Sequence, residues 1–224
     1  GIYSIMKISN NKKKCLVLGM GGHSKVVTSI IESYDEYEIV GLIDKYPENV
    51  GKQVKCYTVI GYQDELEDFI KKGFDTYFIA IGDNYIRRKL YLYLKSFNCV
   101  IPPLIHRSVK YENDLIIKEG IQLCTGVILA TSVSIEENSL INSGAVIDHE
   151  SMIGKNCHIS TGVTITGKVE IGNNSFVGAG STILPYVKIE NDTIIGAGSV
   201  VVNNIPPNVV AYGAPAVVKR KIEL

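Results

Sequence analysis

His149 is followed directly by Glu150, and a second histidine, His158, stands nine residues further on. An imidazole titrates near neutral pH, so it can take a proton from an amine or a hydroxyl as that group attacks an electrophile. A neighbouring carboxylate orients the ring and stabilises the imidazolium that forms, the part played by the acid of a catalytic triad. The pair reads as a general base with its orienting acid, against the alternative of a solvated turn histidine. His158 reads as a second site residue and His106 as a surface one.

Another chemistry is written near the start of the chain. GMGGHSK, residues 19–25, lies between a short apolar run at 14–18 and an amphipathic stretch at 25–33, and a second apolar run from Glu38 to Ile43 ends before Asp44. That order predicts strand, glycine turn, helix, strand. Gly19, Gly21 and Gly22 let the backbone approach a phosphate or ribose at the helix N-terminus, where free N–H groups and the dipole favour anions. Asp44 stands where an acidic residue takes ribose hydroxyls. The spacing G-x-G-G is shorter than the full dinucleotide fingerprint, and such a turn also serves as a plain βα loop. The unit of about 90 residues is too small for a full dinucleotide fold and reads as a binder of a mononucleotide or nucleotide sugar.

His149 and His158 belong to a repeat. From Ile117 to Val201 every sixth residue is aliphatic without a miss. Three places after it, glycine recurs at Gly126, Gly144, Gly162, Gly180 and Gly198, eighteen apart, and Asn138, Asn156, Asn174 and Asp192 form a second ladder of the same period. These residue types tolerate φ > 0 at a tight corner. Three hexapeptides per coil predict a parallel β-helix, a triangular prism of about five coils. Four places after each aliphatic residue stands a small or short branched one, among them Ser139, Ala145, Cys157 and Ser181, so large and small inward side chains alternate. The third corner holds Ser132, Glu150, Lys168, Tyr186 and Asn204, a set without a common backbone preference, and this edge is expected to be free to carry chemistry.

In front of the prism, residues 64–72 read as a helix, 75–81 as a strand and 85–97 as a helix, which makes a small Rossmann-like α/β unit of about four strands. Pro102 and Pro103 break the pattern, so a Rossmann-like nucleotide-sugar-binding domain is placed at 12–104 and an all-β domain with its C-terminal tail at 105–224. The residues GIYSIM, which end at an internal Met6, are left out of the fold reading. Lys plus Arg and Asp plus Glu are 23 each, so no polybasic surface for nucleic acid or anionic lipid is implied. No apolar stretch approaches the ~18 residues of a membrane span, and no secretory signal is read. The five cysteines lack metal-ligand spacing and read as reduced thiols of a cytoplasmic protein, with Cys157 facing inward and no metal expected.

Taken together, GMGGHSK, IGDN at 81–84, VIDHES at 146–151, the step from His149 to His158 and the terminal YGAPAVVKR resemble one bacterial family over nearly the whole chain. It comprises sialic acid O-acetyltransferases and nucleotide-amino-sugar N-acetyltransferases of the hexapeptide-repeat acyltransferase superfamily, including an acetyltransferase of a UDP-linked 4-amino sugar. The resemblance implies a left-handed prism and transfer of acetyl from acetyl-CoA to a nucleotide-linked (UDP or dTDP) 4-amino-4,6-dideoxy sugar. It assigns nucleotide contacts to Gly21, Gly22, His23, Asp44 with Lys45, and Gly82, and an acceptor-sugar contact to Asn142. His149 with Glu150 becomes catalytic, His158 meets the acetyl-CoA thioester, and Ala179 and Ala197 line the pantetheine. Lys45 stands where relatives carry a second acid, which leaves base selectivity open.

Within that chemistry the developing oxyanion needs a donor, for which the backbone near Gly167 and the imidazole of His158 are the candidates. Direct attack needs no acyl-enzyme. The exposed cofactor groove calls for a homotrimer, with the loop from Pro206 to Pro215 near the adenine end and Lys219, Arg220 and Lys221 as partners of its phosphates or as a solvated tail. Two other functions fit the same residues: sialic acid O-acetylation, and a non-enzymatic nucleotide-sugar-binding scaffold, against which the His149–Glu150 pair argues.

Overall fold

A computed structural model describes residues 12–222, and the opening GIYSIM lies outside the described residues. The N-terminal domain runs β1 (Lys13–Leu18), α1 (Gly22–Glu32), β2 (Tyr37–Asp44), β3 (Gln53–Val54), β4 (Tyr57–Tyr62), α2 (Leu66–Lys71), β5 (Tyr77–Ile79) and α3 (Asn84–Ser96). Its strands form one sheet in the order β3-β4-β2-β1-β5, parallel apart from β3. The sheet has five strands rather than about four, because β3 and β4 form a hairpin. Its turn at Lys55–Cys56 lacks the usual Gly or Asn, although Lys55 takes φ +55°, and so left no mark in the sequence. Each face of the sheet packs an apolar cluster, one under α1 with Val27, Ile30 and Ile31 and one under α3 with Leu90 and Leu94.

From β1 the chain moves outward through β2 and β4, then crosses back to place β5 on the other side of β1. The strand order therefore reverses between β1 and β5. In open α/β sheets the crevice beyond the carboxyl ends of the strands at such a point is where ligands bind.

Residues from Leu104 onward form the left-handed parallel β-helix, with three sheets of eight, six and five strands. Partners are eighteen residues apart, as in Leu140 with His158 and Val146 with Thr164. The first and second sheets each gain one strand ahead of the five coils expected, Leu104–Ile105 and Lys110–Tyr111, which the aliphatic ladder did not reach because Tyr111 interrupts it before Ile117. One continuous core fills the prism, from Val109 through Ile141, Ile159 and Ile183 to Ala216. Inward serines are satisfied: Ser139 Oγ donates to Gly154 C=O (2.8 Å) and accepts from Cys157 N–H (2.9 Å), so a short hydroxyl fills a narrow layer without an orphaned polar atom.

The glycine and asparagine corners adopt the left-handed backbone, with Gly162 at φ +67° and Asn156 at φ +56°. At the third corner the expectation of conformational freedom is corrected. Ser132, Glu150, Lys168 and Tyr186 all take φ between +57° and +65°, and only Asn204, where the last coil opens, does not. The same turn geometry is imposed at every corner, so three bulky or charged residues stand in a conformation that costs roughly 1–2 kcal/mol each for an L side chain. The C-terminal segment is also more ordered than a tail. Val209–Gly213 and Ala216–Lys221 pair antiparallel and extend the first sheet.

Candidate active site

His149 and Glu150 lie on the corner between the second and third sheets, in the turn after Val146–Ile147. His149 Nδ1 donates to Glu150 Oε2 (3.1 Å), which leaves the lone pair on Nε2. The Nε2 edge of the ring lies over Gly167, one coil on, where a Cβ would stand 2.5 Å from Nε2. Thr166 C=O accepts from the inward Ser151 hydroxyl (2.9 Å), so the Gly167 N–H of the same planar peptide points outward beside the imidazole. Among the described residues no acceptor takes that N–H. Lys168 Nζ approaches the Glu150 oxygen that His149 uses (3.5 Å). The hydrogen bond from His149 and the charge of Lys168 hold the Glu150 carboxyl below its usual range.

The nucleotide candidates gather at the carboxyl ends of β1, β2 and β5. Gly21 is the N-cap of α1, and neither Gly21 nor Gly22 has a protein atom within 4 Å of where a Cβ would be, so both face open space. Gly82 sits in the loop after β5, across the crevice from them. Asp44 ends β2 and is buried, and its Oδ2 accepts from Tyr46 N–H (3.3 Å) and from the Asn49 amide, so part of its carboxylate closes its own loop. Lys45 is exposed, with its ammonium over the Tyr46 ring (5.0 Å).

Below this crevice the domain meets the first sheet of the prism. His23 Nε2 donates to Gln122 Oε1 (2.7 Å), and the Gln122 amide donates to Ile79 C=O (2.6 Å). His158 Nδ1 donates to Gly82 C=O (3.2 Å), its Nε2 faces the Asn142 amide (3.5 Å), and Phe176 packs edge-on against the ring. Burial, reinforced by the charge of Arg87, pushes the His158 pKa down to about 4, and burial lowers that of His23. With its one proton on Nδ1, neutral His158 carries no N–H on Nε2, whereas the Gly167 N–H is unpaired among the described residues.

Gly82, His158 and Asn142 are thus brought together with the crevice, but His149 is not among them. Among the described residues the hydrogen bonds between the two domains come from the first sheet and the asparagine corner, with a cation–π contact of Arg107 on Tyr34 from the glycine corner, whereas His149 occupies the edge opposite the first sheet. Ala179 and Ala197 are exposed, one coil apart, on the glycine corner. Cys157 is inert: burial pushes its thiol up to about 12, and it donates to Gly172 C=O (3.1 Å). Among the described residues no group of three His, Cys, Asp or Glu side chains is placed to hold a metal, and no helix is long and apolar enough to cross a membrane.

Sequence reasoning missed Gln122, Lys168 and above all Arg87. Arg87 is fully buried, and burial lowers its pKa to about 10, which still leaves it charged at neutral pH. Its trace in the sequence is an arginine on the apolar stripe of α3, three and seven residues before Leu90 and Leu94.

Residues 14–94 match the family model of the PglD N-terminal domain, and residues 132–167 and 168–203 match that of the bacterial transferase hexapeptide of six repeats. Among solved structures, PerB from Caulobacter crescentus, in complex with CoA and GDP-perosamine, is 32% identical with a TM-score of 0.87, covering 95% of this chain and 99% of that one. The acetyltransferase domain of PglB from Neisseria gonorrhoeae is 27% identical with a TM-score of 0.86, covering 93% and 100%. WeeI from Acinetobacter baumannii, 22% identical with a TM-score of 0.82 over 93% and 100%, shares the fold. Among curated proteins none matches the chain.

Proposed function

Because the chain belongs to the bacterial hexapeptide acetyltransferases that carry a PglD-type N-terminal domain, we propose that it acetylates the 4-amino group of a nucleotide-linked 4-amino-4,6-dideoxy sugar, with acetyl-CoA as donor. The observation that carries this reading is the His149 Nε2 lone pair beside the outward N–H of Gly167, with Glu150 behind the ring. A base and an oxyanion donor stand together there, and acyl transfer to an amine needs both. His149 Nε2 takes the proton from the attacking amine, Glu150 stabilises the imidazolium, and Gly167 N–H donates to the oxygen on which charge develops. The thiolate leaves without further help. The acyl donor lies along the glycine corner past Ala179 and Ala197, whose short side chains leave room for a pantetheine.

The acceptor's nucleotide lies on the N-terminal domain, with its diphosphate at Gly21, Gly22 and Gly82 and its ribose toward Asp44. CoA and GDP-perosamine bound to PerB support both halves of the pairing. Since that relative holds a guanine nucleotide, the base in this chain is open among UDP, dTDP and GDP. Both substrates are cytoplasmic metabolites, and the enzyme acts there.

One chain holds the crevice and His149 on opposite sides of the prism, and this separation supports a site assembled between copies, which suits a cyclic homotrimer. The test of the function is thiol release from acetyl-CoA against UDP-, dTDP- and GDP-linked 4-amino sugars, with free sialic acid as the hydroxyl acceptor. Turnover with a nucleotide-linked amino sugar is expected. Turnover with sialic acid alone reassigns the chain to O-acetylation, and no turnover with any acceptor rejects the enzyme reading.

A further inference from the structure

Arg87 makes more contacts than a buried side chain needs for packing. Its Nη1 donates to Gly82 C=O (2.8 Å) and Ile81 C=O (3.3 Å). Nε donates to Asn138 C=O (3.1 Å), and Nη2 to Cys157 C=O (3.0 Å), Asn156 C=O (3.4 Å) and Asn84 Oδ1 (2.7 Å). One guanidinium thus ties the loop that borders the crevice to backbone carbonyls on two successive coils of the prism. Among the described residues no carboxylate pairs with it. Asp83, four residues before it, instead caps α3 by accepting from Ile86 N–H.

The bond to Gly82 has a directional consequence. That carbonyl accepts from Arg87 on one side and from His158 Nδ1 on the other, so it is turned toward the prism. In a planar trans peptide the following N–H, that of Asp83, then points the opposite way, toward the crevice. Ile81 C=O is held likewise, which turns Gly82 N–H outward. Neither N–H is taken by an acceptor among the described residues. A lysine could not do this, because its ammonium is a point charge with three donors and cannot span both domains as a planar fork does.

We propose that Arg87 is a positioning residue for the acceptor: it fixes the Ile81–Asp83 loop with its N–H groups outward and locks the nucleotide crevice in one register against the prism. This rests on the reading that the acceptor's nucleotide binds in that crevice. The register matters because the sugar must reach a histidine on the far edge of a neighbouring prism, and a misplacement of ~1 Å can cost on the order of 10²-fold.

The experiment compares wild type with Arg87→Lys and Asn84→Ala as full chains, measuring both Michaelis constants and the binding of UDP, dTDP and GDP by calorimetry. Arg87→Lys is expected to raise the acceptor KM and weaken the preferred nucleoside diphosphate by about 10-fold or more, with the acetyl-CoA KM unchanged. Asn84→Ala, which removes the acceptor that orients Nη2 together with the amide's bonds to Asn174 and Ser175 C=O but leaves the guanidinium in place, is expected to give a smaller change in the same direction. Addition of methylguanidinium to Arg87→Ala should restore acceptor KM. If that alanine variant does not fold, the lysine and Asn84 variants decide alone. An unchanged acceptor KM in Arg87→Lys, or equal rises in both constants, overturns the proposal. If no nucleoside diphosphate binds the wild type, the nucleotide site itself is rejected and this role with it.

Discussion

Gly167 lies beneath the Nε2 edge of His149, so close that a Cβ there would stand 2.5 Å from that nitrogen. The glycine is required by the ring above it, not by its own turn, since it lies outside the positive-φ set. Gly167→Ala should therefore displace the imidazole and cut kcat by on the order of 10²-fold, with the melting temperature nearly kept. Steady-state kinetics beside a thermal melt checks this, and wild-type kcat would show that the ring does not work from that position.

His149→Ala should lower kcat by the ~10²–10⁴-fold of a lost general base, and Glu150→Ala by less, because the acid acts only through the ring. An amine acceptor is partly neutral in alkaline buffer, so raising the pH should restore part of the alanine variant's rate. A hydroxyl acceptor would not respond, which makes the pH series a test of base and acceptor class together.

A site shared between copies predicts complementation. His149→Ala and Asp44→Ala homo-oligomers should each be impaired, while trimers co-assembled from the two should regain activity, because some interfaces join an intact crevice to an intact histidine. Light scattering of the wild type should give a trimer. A monomer at micromolar concentration, or co-assembled trimers no better than the parents, would place both halves of the site in one chain.

His158 has a folded pKa near 4 against an ordinary 6.5. Between those values the unfolded chain binds the proton more readily, so the neutral buried ring supports the fold above pH 6.5 and loses that support as the pH falls toward 4. Urea midpoints at pH 7.5 and 5.5 should therefore drop more for wild type than for His158→Gln, which cannot titrate. Equal drops would mean that the ring is charged without penalty in the folded state.

Gly162 turns its corner at φ +67° with no atom within 4 Å of a Cβ. Gly162→Val should thus destabilise by over ~1 kcal/mol through backbone strain alone, since nothing blocks the side chain. Chemical denaturation measures it, and an unchanged midpoint would remove the strain argument.

The prism was legible because its information is local and repeated. Each hexapeptide states its inward aliphatic residue, and the eighteen-residue ladders of Gly126 to Gly198 and Asn138 to Asp192 state the number of faces. The glycine turn and Asp44 likewise marked strand ends, because a βα turn is built from neighbours in the chain. The reading failed at the third corner, where Glu150, Lys168 and Tyr186 carry no residue preference although the coil geometry imposes φ > 0 on them. The hairpin at Lys55 was hidden for the same reason.

What only the tertiary structure decided is where the pieces face. Arg87 looks like any helix arginine until its partners are known, and apart from Asn84 Oδ1 those are backbone carbonyls, several from coils some 50 to 70 residues away, which no side-chain pattern records. The sequence by itself determined a triangular prism, a glycine turn between strand and helix, and a His–Glu pair on one corner. Tertiary packing alone decided which face carries the N-terminal domain, and so set the crevice and His149 on opposite sides of one chain. A six-residue period specifies the three faces with near-equal residues, and the choice among them rests on contacts far apart in sequence.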